Sequence, residues 1–319
     1  MTRTARLTAY AKLNLGLRVL CQRPDGYHEL RTVFQTISLA DRIGVSFRSA
    51  RQTQVRIEGT PHIQDNLVER AAHLVLDELQ LRAEVHFHLQ KLIPAGAGLG
   101  GGSTDAAAVL LALPVLAGKP VPEQRLFELA AQLGSDVPFF LHGGTALGIG
   151  RGEELYPLPD APRKRVLLIA PRVHSSTAEA YRDLSSRLTP IGLQNKLVSF
   201  QRQIWAGPGE GIVNDFEEVV FARHPELRQI GIRLRAAGAG PVAMTGSGSA
   251  IFGIFNNSGQ LIQAQKSFET EQTFAVSFVS RAQYRAAWRR VLATHMQPPP
   301  SQSGPLKGNL WPPPSRYAQ

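Results

Sequence analysis

The sequence of 319 residues contains a single cysteine, Cys21. One cysteine excludes an intramolecular disulfide and any metal site built from several thiolates, and it is typical of a reducing compartment. No segment approaches the ~18 consecutive apolar residues of a membrane span. The first residues, Met-Thr-Arg-Thr-Ala-Arg, lead into an alternating pattern and not into an apolar leader segment. We therefore expect a cytoplasmic globular protein with no membrane partner.

The sequence also lacks the Gly-Lys-Ser/Thr triplet of P-loop proteins and the lysine, catalytic-loop and Asp-Phe-Gly motifs of protein kinases. Its net charge is +10, and such an excess can indicate nucleic-acid binding. Six basic residues and no acid lie between residues 281 and 319, so six of the ten excess charges belong to the terminal helix and tail. We therefore expect no nucleic-acid partner, and the modest remaining excess suits an enzyme that handles polyanionic substrates.

The most informative segment is rich in glycine and stands between a predicted strand and a predicted helix. Five glycines fall within seven residues of the segment Pro94-Ala95-Gly96-Ala97-Gly98-Leu99-Gly100-Gly101-Gly102-Ser103-Thr104-Asp105. Residues 85–90 before it alternate apolar and polar, and the apolar run 106–113 follows at once. Backbone N–H groups can converge where there is no Cβ, and a helix N-terminus adds unpaired donors and partial positive charge. The segment therefore predicts a phosphate-binding site in preference to a flexible linker or a plain turn.

A dinucleotide-binding loop is the alternative for this segment. Gly96-x-Gly98-x-x-Gly101 matches that pattern letter for letter, but a lone match is weak. The ribose-binding acid of such a loop ends a second strand about 20 residues on. Glu123 has nearly that spacing, yet it follows Pro122 at the predicted start of a helix. We therefore interpret the segment as a phosphate loop of another type.

The N-terminal part of the chain is rich in predicted strands. Residues 12–19 alternate polar and apolar, which predicts a half-buried strand whose polar face carries Lys12 and Asn14 side by side. Residues 45–47 and 54–57 predict a hairpin. Early strands and later clustered helices favour an α+β protein of two lobes with a cleft between them. We expect the lobes to comprise residues 1–162 and 163–296, and residues 297–319 to form a proline-rich disordered tail.

Three segments resemble the motifs of the GHMP kinases, a superfamily that includes galactokinase and the homoserine and mevalonate kinases. They are Ala11-Lys12-Leu13-Asn14-Leu15, the glycine-rich segment, and Thr245-Gly246-Ser247-Gly248-Ser249, in the order of that superfamily. The resemblance implies the GHMP kinase fold. Its N-terminal lobe is similar to ribosomal protein S5 domain 2, its C-terminal lobe is ferredoxin-like, and the active site lies in the cleft.

Two further segments resemble the branch of these kinases that phosphorylates a cytidine diphosphate sugar alcohol. They are Arg23-Pro24-Asp25-Gly26-Tyr27-His28-Glu29-Leu30 and Gly134-Ser135-Asp136-Val137-Pro138-Phe139-Phe140. The resemblance implies transfer of the γ-phosphate of ATP, with Mg²⁺, to a 2-hydroxyl in the non-mevalonate isoprenoid route. A mevalonate- or homoserine-type kinase is the alternative, but those acceptors have no base for Tyr27 and His28 to bind. A non-catalytic S5-like RNA-binding protein is the alternative from another class.

The resemblance also implies roles for individual residues. Asp136 would be the catalytic base, although an aspartate in a turn is more often solvated. Lys12 would stabilise charge at the reacting centre, although a lysine on such a strand more often faces solvent. Residues implied to bind the acceptor are Asn14, Tyr27, His28, Thr177 and Tyr181.

The nucleotide site implied by the resemblance includes Asn66 near adenine, the loop from Pro94 to Thr104, and a second glycine loop of Gly246, Ser247 and Gly248. Ser103 or Thr104 would cap the following helix or contact Mg²⁺, and the cap is the better-founded expectation. We expect no other metal ligand, a small-molecule partner, and a monomer or homodimer.

Overall fold

The structure is a computed structural model that describes residues 1–60, 65–188, 190–207, 211–296 and 310–311. The elements built on the first sheet are β1 (Arg3–Gln22), β2 (His28–Ser49), β3 (Gln54–Glu58), α1 (Leu67–Glu78), β4 (Ala83–Gln90), α2 (Gly101–Ala117), β5 (Val121–Pro122), α3 (Glu123–Leu133), α4 (Phe139–His142), β6 (Thr145–Gly150) and β7 (Glu154–Pro157). Then follow β8 (Arg165–Ala170), α5 (Thr177–Ser185), α6 (Pro190–Ala206), α7 (Phe216–Arg223), α8 (Pro225–Ala236), β9 (Val242–Met244), β10 (Ile251–Phe255), α9 (Ser258–Lys266), β11 (Gln272–Ser277), α10 (Arg281–Leu292), a 3₁₀ turn (Ala293–His295) and β12 (Leu310–Trp311).

The first lobe is built on a six-stranded sheet in the order β3-β4-β2-β6-β7, with β1 paired to β2. The strands β1 and β2 pair antiparallel along most of their length. The predicted hairpin is wrong, because residues 45–47 belong to β2 and β3 pairs in parallel with β4. The alternating pattern predicted both strands correctly, but β4, which follows α1 later in the chain, lies between β2 and β3 in the sheet.

The strand β1 is buried on both faces, which differs from the predicted half-buried strand. Leu13 and Leu15 lie in the core, and Lys12 and Asn14 on the other face are also buried, at 3 % and 2 % exposure. The polar side chains do not face solvent because the floor of a cleft, described below, runs along this face. Polar alternation here indicates a functional surface within the protein.

The second lobe is built on an antiparallel sheet in the order β11-β8-β10-β9, with α5, α7, α8 and α9 contributing to its core. The helix α10 lies inside the predicted second lobe, yet Tyr284, Trp288 and Leu292 on it pack into the core of the first lobe. The chain therefore returns to the first lobe after β11. Two sheets with interleaved helices confirm the predicted α+β class.

The proline-rich tail lies outside the described residues apart from Leu310 and Trp311. These two residues form β12, which pairs antiparallel with β5. The indole N–H of Trp311 donates a 2.7 Å hydrogen bond to the carbonyl of Leu111 in α2. This described part of the tail is thus attached to the first lobe. Within the same described ranges, no helix is both long and apolar enough to cross a membrane.

Candidate active site

An open cleft of about 1060 Å³ lies where the two lobes meet. Many of the predicted site residues line it together, namely Lys12, Asn14, Tyr27, His28, Gly96, Gly98, Gly100, Ser103, Asp136, Thr177, Tyr181, Gly246, Ser247 and Gly248. Among the described residues that line the cleft, the charged groups include Lys12, Arg151 and Arg182 against one carboxylate, Asp136. This excess of positive charge suits a ligand that carries several phosphates.

The glycine-rich loop ends at the exposed start of α2. Gly96, Gly98 and Gly100 all have positive φ angles, and Gly100 is the N-cap residue of α2 without a side-chain hydrogen bond to the helix. The prediction that Ser103 or Thr104 caps the helix is wrong, because both lie inside its first turn. The N–H groups of the first three helical residues stay available to an anion in the cleft, as a phosphate site requires, whereas that of Thr104 donates to the carbonyl of Gly100.

Glycine is needed at this loop because backbone and side-chain atoms of other segments lie against it. A Cβ on Gly98 would stand 2.2 Å from the carbonyl oxygen of Thr245, and one on Gly100 would stand 2.7 Å from the ring of Phe140. A Cβ on Gly246 would in turn meet the Cα of Gly98 at 3.1 Å. The two glycine loops, one from each lobe, are thus in direct contact, and both line the cleft.

Lys12 and Asp136 form an ion pair on the floor of the cleft. The Nζ of Lys12 lies 3.3 Å from Oδ2 of Asp136, and 5.4 Å from the ring centre of Phe34. The lysine side chain is 4 % exposed and the aspartate side chain 34 %. A ligand can therefore reach the carboxylate, while the ammonium group is held beneath it. The structure thus brings together the two residues to which the resemblance gave catalytic roles.

Asn14 joins several parts of the site through its side chain. Its Oδ1 accepts hydrogen bonds from Lys12 Nζ at 2.7 Å and from the N–H of Gly246 at 2.9 Å. A longer bond of 3.2 Å comes from the hydroxyl of Thr245. Its Nδ2 donates to the hydroxyl of Thr32 at 2.8 Å. Asn14 is therefore a connection between β1, β2 and the second glycine loop, and its predicted contact with the acceptor stays a prediction.

Aromatic side chains line another part of the cleft. Tyr27 is 54 % exposed, and the guanidinium of Arg151 lies 4.5 Å from the centre of its ring. The rings of His28 and Tyr181 stack with centres 4.7 Å apart, and Tyr181 packs edge-on against Phe216. Burial, reinforced by the nearby carboxylate of Asp136, raises the pKa of Tyr181, so this phenol stays neutral. These residues form an aromatic patch with polar edges, which suits a flat heterocycle.

The second glycine loop is held by hydroxyl groups at the start of α5. Ser175 donates a 2.8 Å hydrogen bond to the carbonyl of Ser247, and the hydroxyls of Thr177 and Ser247 are 2.7 Å apart. Thr177 was predicted to contact the acceptor, and it does line the cleft. Its hydroxyl is engaged with the loop, so an additional contact with a ligand stays a prediction.

Some predicted nucleotide-site residues do not line the main cleft. Asn66 is the N-cap of α1, where its side chain accepts a 3.0 Å hydrogen bond from Val68 N–H, and it lines a separate depression of about 440 Å³. Ala97, Leu99 and Thr104 are buried. Pro94, Ala95, Gly101 and Gly102 complete the loop and the first turn of α2 without lining the cleft.

A cluster of three charged side chains, largely buried, lies beside the glycine loop and holds the chain where it enters the loop. The Nζ of Lys91 contacts the carboxylates of Asp41 and Asp105, at 2.6 Å for Asp105. Asp41 also accepts the N–H groups of Leu92 and Ile93, which fixes the chain at the entry to the loop. Burial raises the pKa of Asp105 to about 7; Lys91 opposes this rise and Asp41 adds to it. Sequence reasoning missed this cluster because its members come from three separate segments.

Sequence reasoning also missed several residues in the cleft itself. Phe34, Arg151, His174, Arg182 and Ser185 all line it. Arg151 lies in the glycine-flanked turn Gly150-Arg151-Gly152, and that pattern was the one signal that could have identified it. The others occupy ordinary positions on strands, helices or loops, and their place in the site follows from the tertiary fold.

The residues present fit a magnesium ion that is held chiefly by phosphate oxygens. Within the described ranges no group of three or more His, Cys, Asp and Glu side chains is placed to hold a metal. Mg²⁺ in phosphoryl-transfer sites usually keeps several waters and binds through substrate phosphates and one or two protein oxygens. Ser103, in the first turn of α2, and Asp136 both line the cleft and carry oxygen atoms that can bind the ion.

Two family models and several relatives match this chain. The model of the GHMP kinases N-terminal domain matches residues 66–144, and that of the GHMP kinases C-terminal domain matches residues 197–272. A protein of Solibacter usitatus named 4-diphosphocytidyl-2-C-methyl-D-erythritol kinase is 51 % identical over 321 residues, which cover 99 % of this chain and 98 % of that protein. A protein of the same name from Moorella thermoacetica is 42 % identical over 255 residues, covering 78 % of this chain and 89 % of that protein.

Solved structures agree with these relatives. The crystal structure of a 4-(cytidine 5'-diphospho)-2C-methyl-D-erythritol kinase matches with a TM-score of 0.72 and 36 % identity, covering 86 % of this chain and 98 % of that one. A homoserine kinase from Cytophaga hutchinsonii matches with a TM-score of 0.69 at 19 % identity, covering 87 % and 95 %, which supports the shared fold alone. The predicted GHMP kinase fold is confirmed. With a relative 51 % identical over nearly the whole chain, this protein belongs to the 4-diphosphocytidyl-2-C-methyl-D-erythritol kinase family of the GHMP kinases.

Proposed function

We propose that the protein transfers the γ-phosphate of ATP to the 2-hydroxyl of 4-diphosphocytidyl-2-C-methyl-D-erythritol, a step of the non-mevalonate isoprenoid route. The observation that carries this proposal is the Lys12–Asp136 ion pair, set in a cleft that is lined by two glycine loops in mutual contact. The relatives named for this activity cover the chain almost completely. The aromatic patch of Tyr27, His28 and Tyr181 supplies a place for the cytosine base.

Asp136 and Lys12 have different roles in the reaction at the acceptor hydroxyl. The partly exposed carboxylate of Asp136 is available to accept the proton of the 2-hydroxyl as that oxygen attacks phosphorus. The buried ammonium of Lys12 stays beside the same position and stabilises the negative charge that develops on the transferring group. Asn14 and Phe34 hold Lys12 in place, so this charge requires little reorganisation during the reaction.

The glycine loop and the start of α2 bind the phosphates of ATP. Their backbone N–H groups and the helix dipole offer positive potential without a side chain that would obstruct the nucleotide. Lys91 lies close to this turn but adds no net positive charge, because its ammonium is paired with the carboxylates of Asp41 and Asp105. Mg²⁺, when bound with ATP, neutralises phosphate charge, and Ser103 is the side chain we expect to assist it.

The test is ADP release from Mg-ATP in the presence of a panel of candidate alcohols. We expect 4-diphosphocytidyl-2-C-methyl-D-erythritol to stimulate release strongly, and mevalonate and homoserine to leave it at the background rate. Phosphorus NMR of the product should show a new phosphomonoester at the 2-position. Stimulation by mevalonate or homoserine, without stimulation by the cytidylyl alcohol, would contradict the proposed acceptor.

A further inference from the structure

The polar edge of the aromatic patch contains a hydrogen-bond chain that runs through Ser185. The Nε2 of His28 lies 2.6 Å from the hydroxyl oxygen of Ser185. That hydroxyl lies 2.7 Å from the backbone carbonyl of Tyr181, one helical turn earlier in α5. All three residues line the cleft. Ser185 therefore connects the imidazole to the backbone of the helix that carries Tyr181.

The direction of this chain follows from what each group can do. A carbonyl oxygen can only accept, so the single proton of the Ser185 hydroxyl is donated to Tyr181. The hydroxyl oxygen must then accept from His28, and this requires that Nε2 carry a proton. Burial lowers the pKa of His28, which favours the neutral ring. In a neutral ring with a proton on Nε2, the other nitrogen, Nδ1, is an acceptor.

We propose that Ser185 is a positioning residue that fixes the tautomer of His28, so that Nδ1 reads the exocyclic amino group of the cytosine ring. This deepens the proposed function and rests on its cytidine diphosphate acceptor. Cytosine presents an amino donor at the position where uracil presents the carbonyl acceptor O4. An Nδ1 lone pair that faces this position attracts the amino group of cytosine and repels O4 of uracil. The geometry thus assigns part of the preference for cytosine over uracil to Ser185, which acts through the histidine.

The geometry of the ring supports this assignment. Its stacking against Tyr181 at 4.7 Å and 30° fixes the plane of the imidazole, and the bond to Ser185 fixes its rotation within that plane. In the described part of the chain no protein group is hydrogen-bonded to Nδ1, which leaves that atom free for a ligand. A ring held in this way has one polar edge engaged with the protein and the other available to the base.

The first test measures the tautomer in the ligand-free protein. Long-range proton–nitrogen NMR spectra of the imidazole side chains, assigned by comparison with His28→Asn, distinguish the two ring nitrogens. We expect the wild-type protein to show His28 protonated on Nε2 and the Ser185→Ala variant to show a mixture of tautomers. A proton on Nδ1 of His28 in the wild-type protein would overturn the proposal, whatever the outcome of the kinase assay.

The second test measures base discrimination by calorimetric titration with CDP and with UDP. We expect CDP to bind the wild-type protein more tightly, and Ser185→Ala to reduce the CDP-to-UDP affinity ratio about tenfold, the value of one hydrogen bond. Ser185→Thr keeps the hydroxyl and the bond to the preceding turn, and should restore the ratio. Ser186→Ala is the matched control, because the Ser186 hydroxyl bonds to Asp183 and not to His28.

Kinetics separate this positioning role from a general loss of structure. Ser185→Ala should raise KM for the cytidylyl acceptor about tenfold while KM for ATP and kcat stay near their wild-type values. Equal affinity of the wild-type protein for CDP and UDP would overturn the proposal, and so would an unchanged affinity ratio in Ser185→Ala. Failure of the proposed function would be seen in a different experiment, as the absence of ADP release with the cytidylyl acceptor. The tautomer measurement and the calorimetric titration do not depend on ADP release, so the two failures can be distinguished.

Discussion

Replacement of Asn14 by alanine should destabilise the whole fold as well as the site. The substitution removes four hydrogen bonds, which join Asn14 to Lys12, Thr32, Thr245 and Gly246. A neutral hydrogen bond contributes about 1 kcal/mol and one to a charged group about 1.5–3 kcal/mol, and a buried donor left unpaired adds to the loss. Because the bonds share one side chain, we expect the free energy of unfolding to fall by about 3–5 kcal/mol in total.

The assay is urea-induced unfolding at neutral pH, combined with steady-state kinetics on the folded fraction. Asn14→Asp is the matched control, because it keeps the acceptor atoms for Lys12 and Gly246. Its added carboxylate competes with Asp136 for Lys12, so we expect a smaller loss of stability but a lower turnover. Unfolding of Asn14→Ala at the wild-type urea concentration would refute this reasoning. A selective loss of acceptor affinity would then favour the direct substrate contact that the sequence predicts.

Three further predictions concern other parts of the structure. Trp311→Ala should lower Tm by about 2–4 °C with turnover unchanged, and Trp311→Phe, which keeps the packing but not the bond to Leu111, should lower it less; an unchanged Tm would show that β12 adds nothing to stability. The folded-state pKa of Asp105 is raised from 3.8 to about 7, so its contribution to stability is lost as pH rises through that range. The Tm of Asp105→Asn relative to that of the wild type should therefore increase between pH 4 and pH 8. A difference in Tm that does not change with pH would contradict the raised pKa of Asp105. Tyr27→Ala should weaken acceptor binding by about one to two orders of magnitude, because stacking on a base contributes about 1–3 kcal/mol. ATP binding, measured by titration, should stay nearly intact. An equal loss of ATP affinity would contradict the assignment of Tyr27 to the acceptor site.

The sequence predicted the parts of the site whose chemistry is local. Closely spaced glycines before a helix predict an anion site whatever the rest of the fold does, and the loop before α2 has this form. The resemblance gave Lys12 and Asp136 catalytic roles, and the structure brings these residues, 124 positions apart in sequence, within 3.3 Å of each other. The family and the fold class were predictable for the same reason, since they depend on short motifs in a fixed order.

The remaining features depend on contacts between distant segments. The hydrogen bond from Gly246 to Asn14 joins residues 232 positions apart. Nothing in either segment indicates that the side-chain amide of Asn14 already has hydrogen-bond partners within the protein. The hydroxyl of Ser185 is unremarkable in sequence, and its importance comes from the arrival of His28, 157 positions away. Trp311 lies in a proline-rich segment that composition alone assigns to disorder, yet its indole reaches α2.

The most direct test of the central claim is single-turnover phosphoryl transfer from Mg-ATP to the cytidylyl acceptor in Asp136→Asn and Lys12→Ala at saturating substrate. Removal of a general base typically lowers the rate about 10²–10⁴-fold, and removal of a preorganised charge about 10²–10³-fold. We expect both variants to bind both substrates, to lose rate in these ranges, and to give a double variant little slower than either one, because the pair acts as a unit. A rate near wild type in Asp136→Asn would contradict the claim that this ion pair carries the reaction.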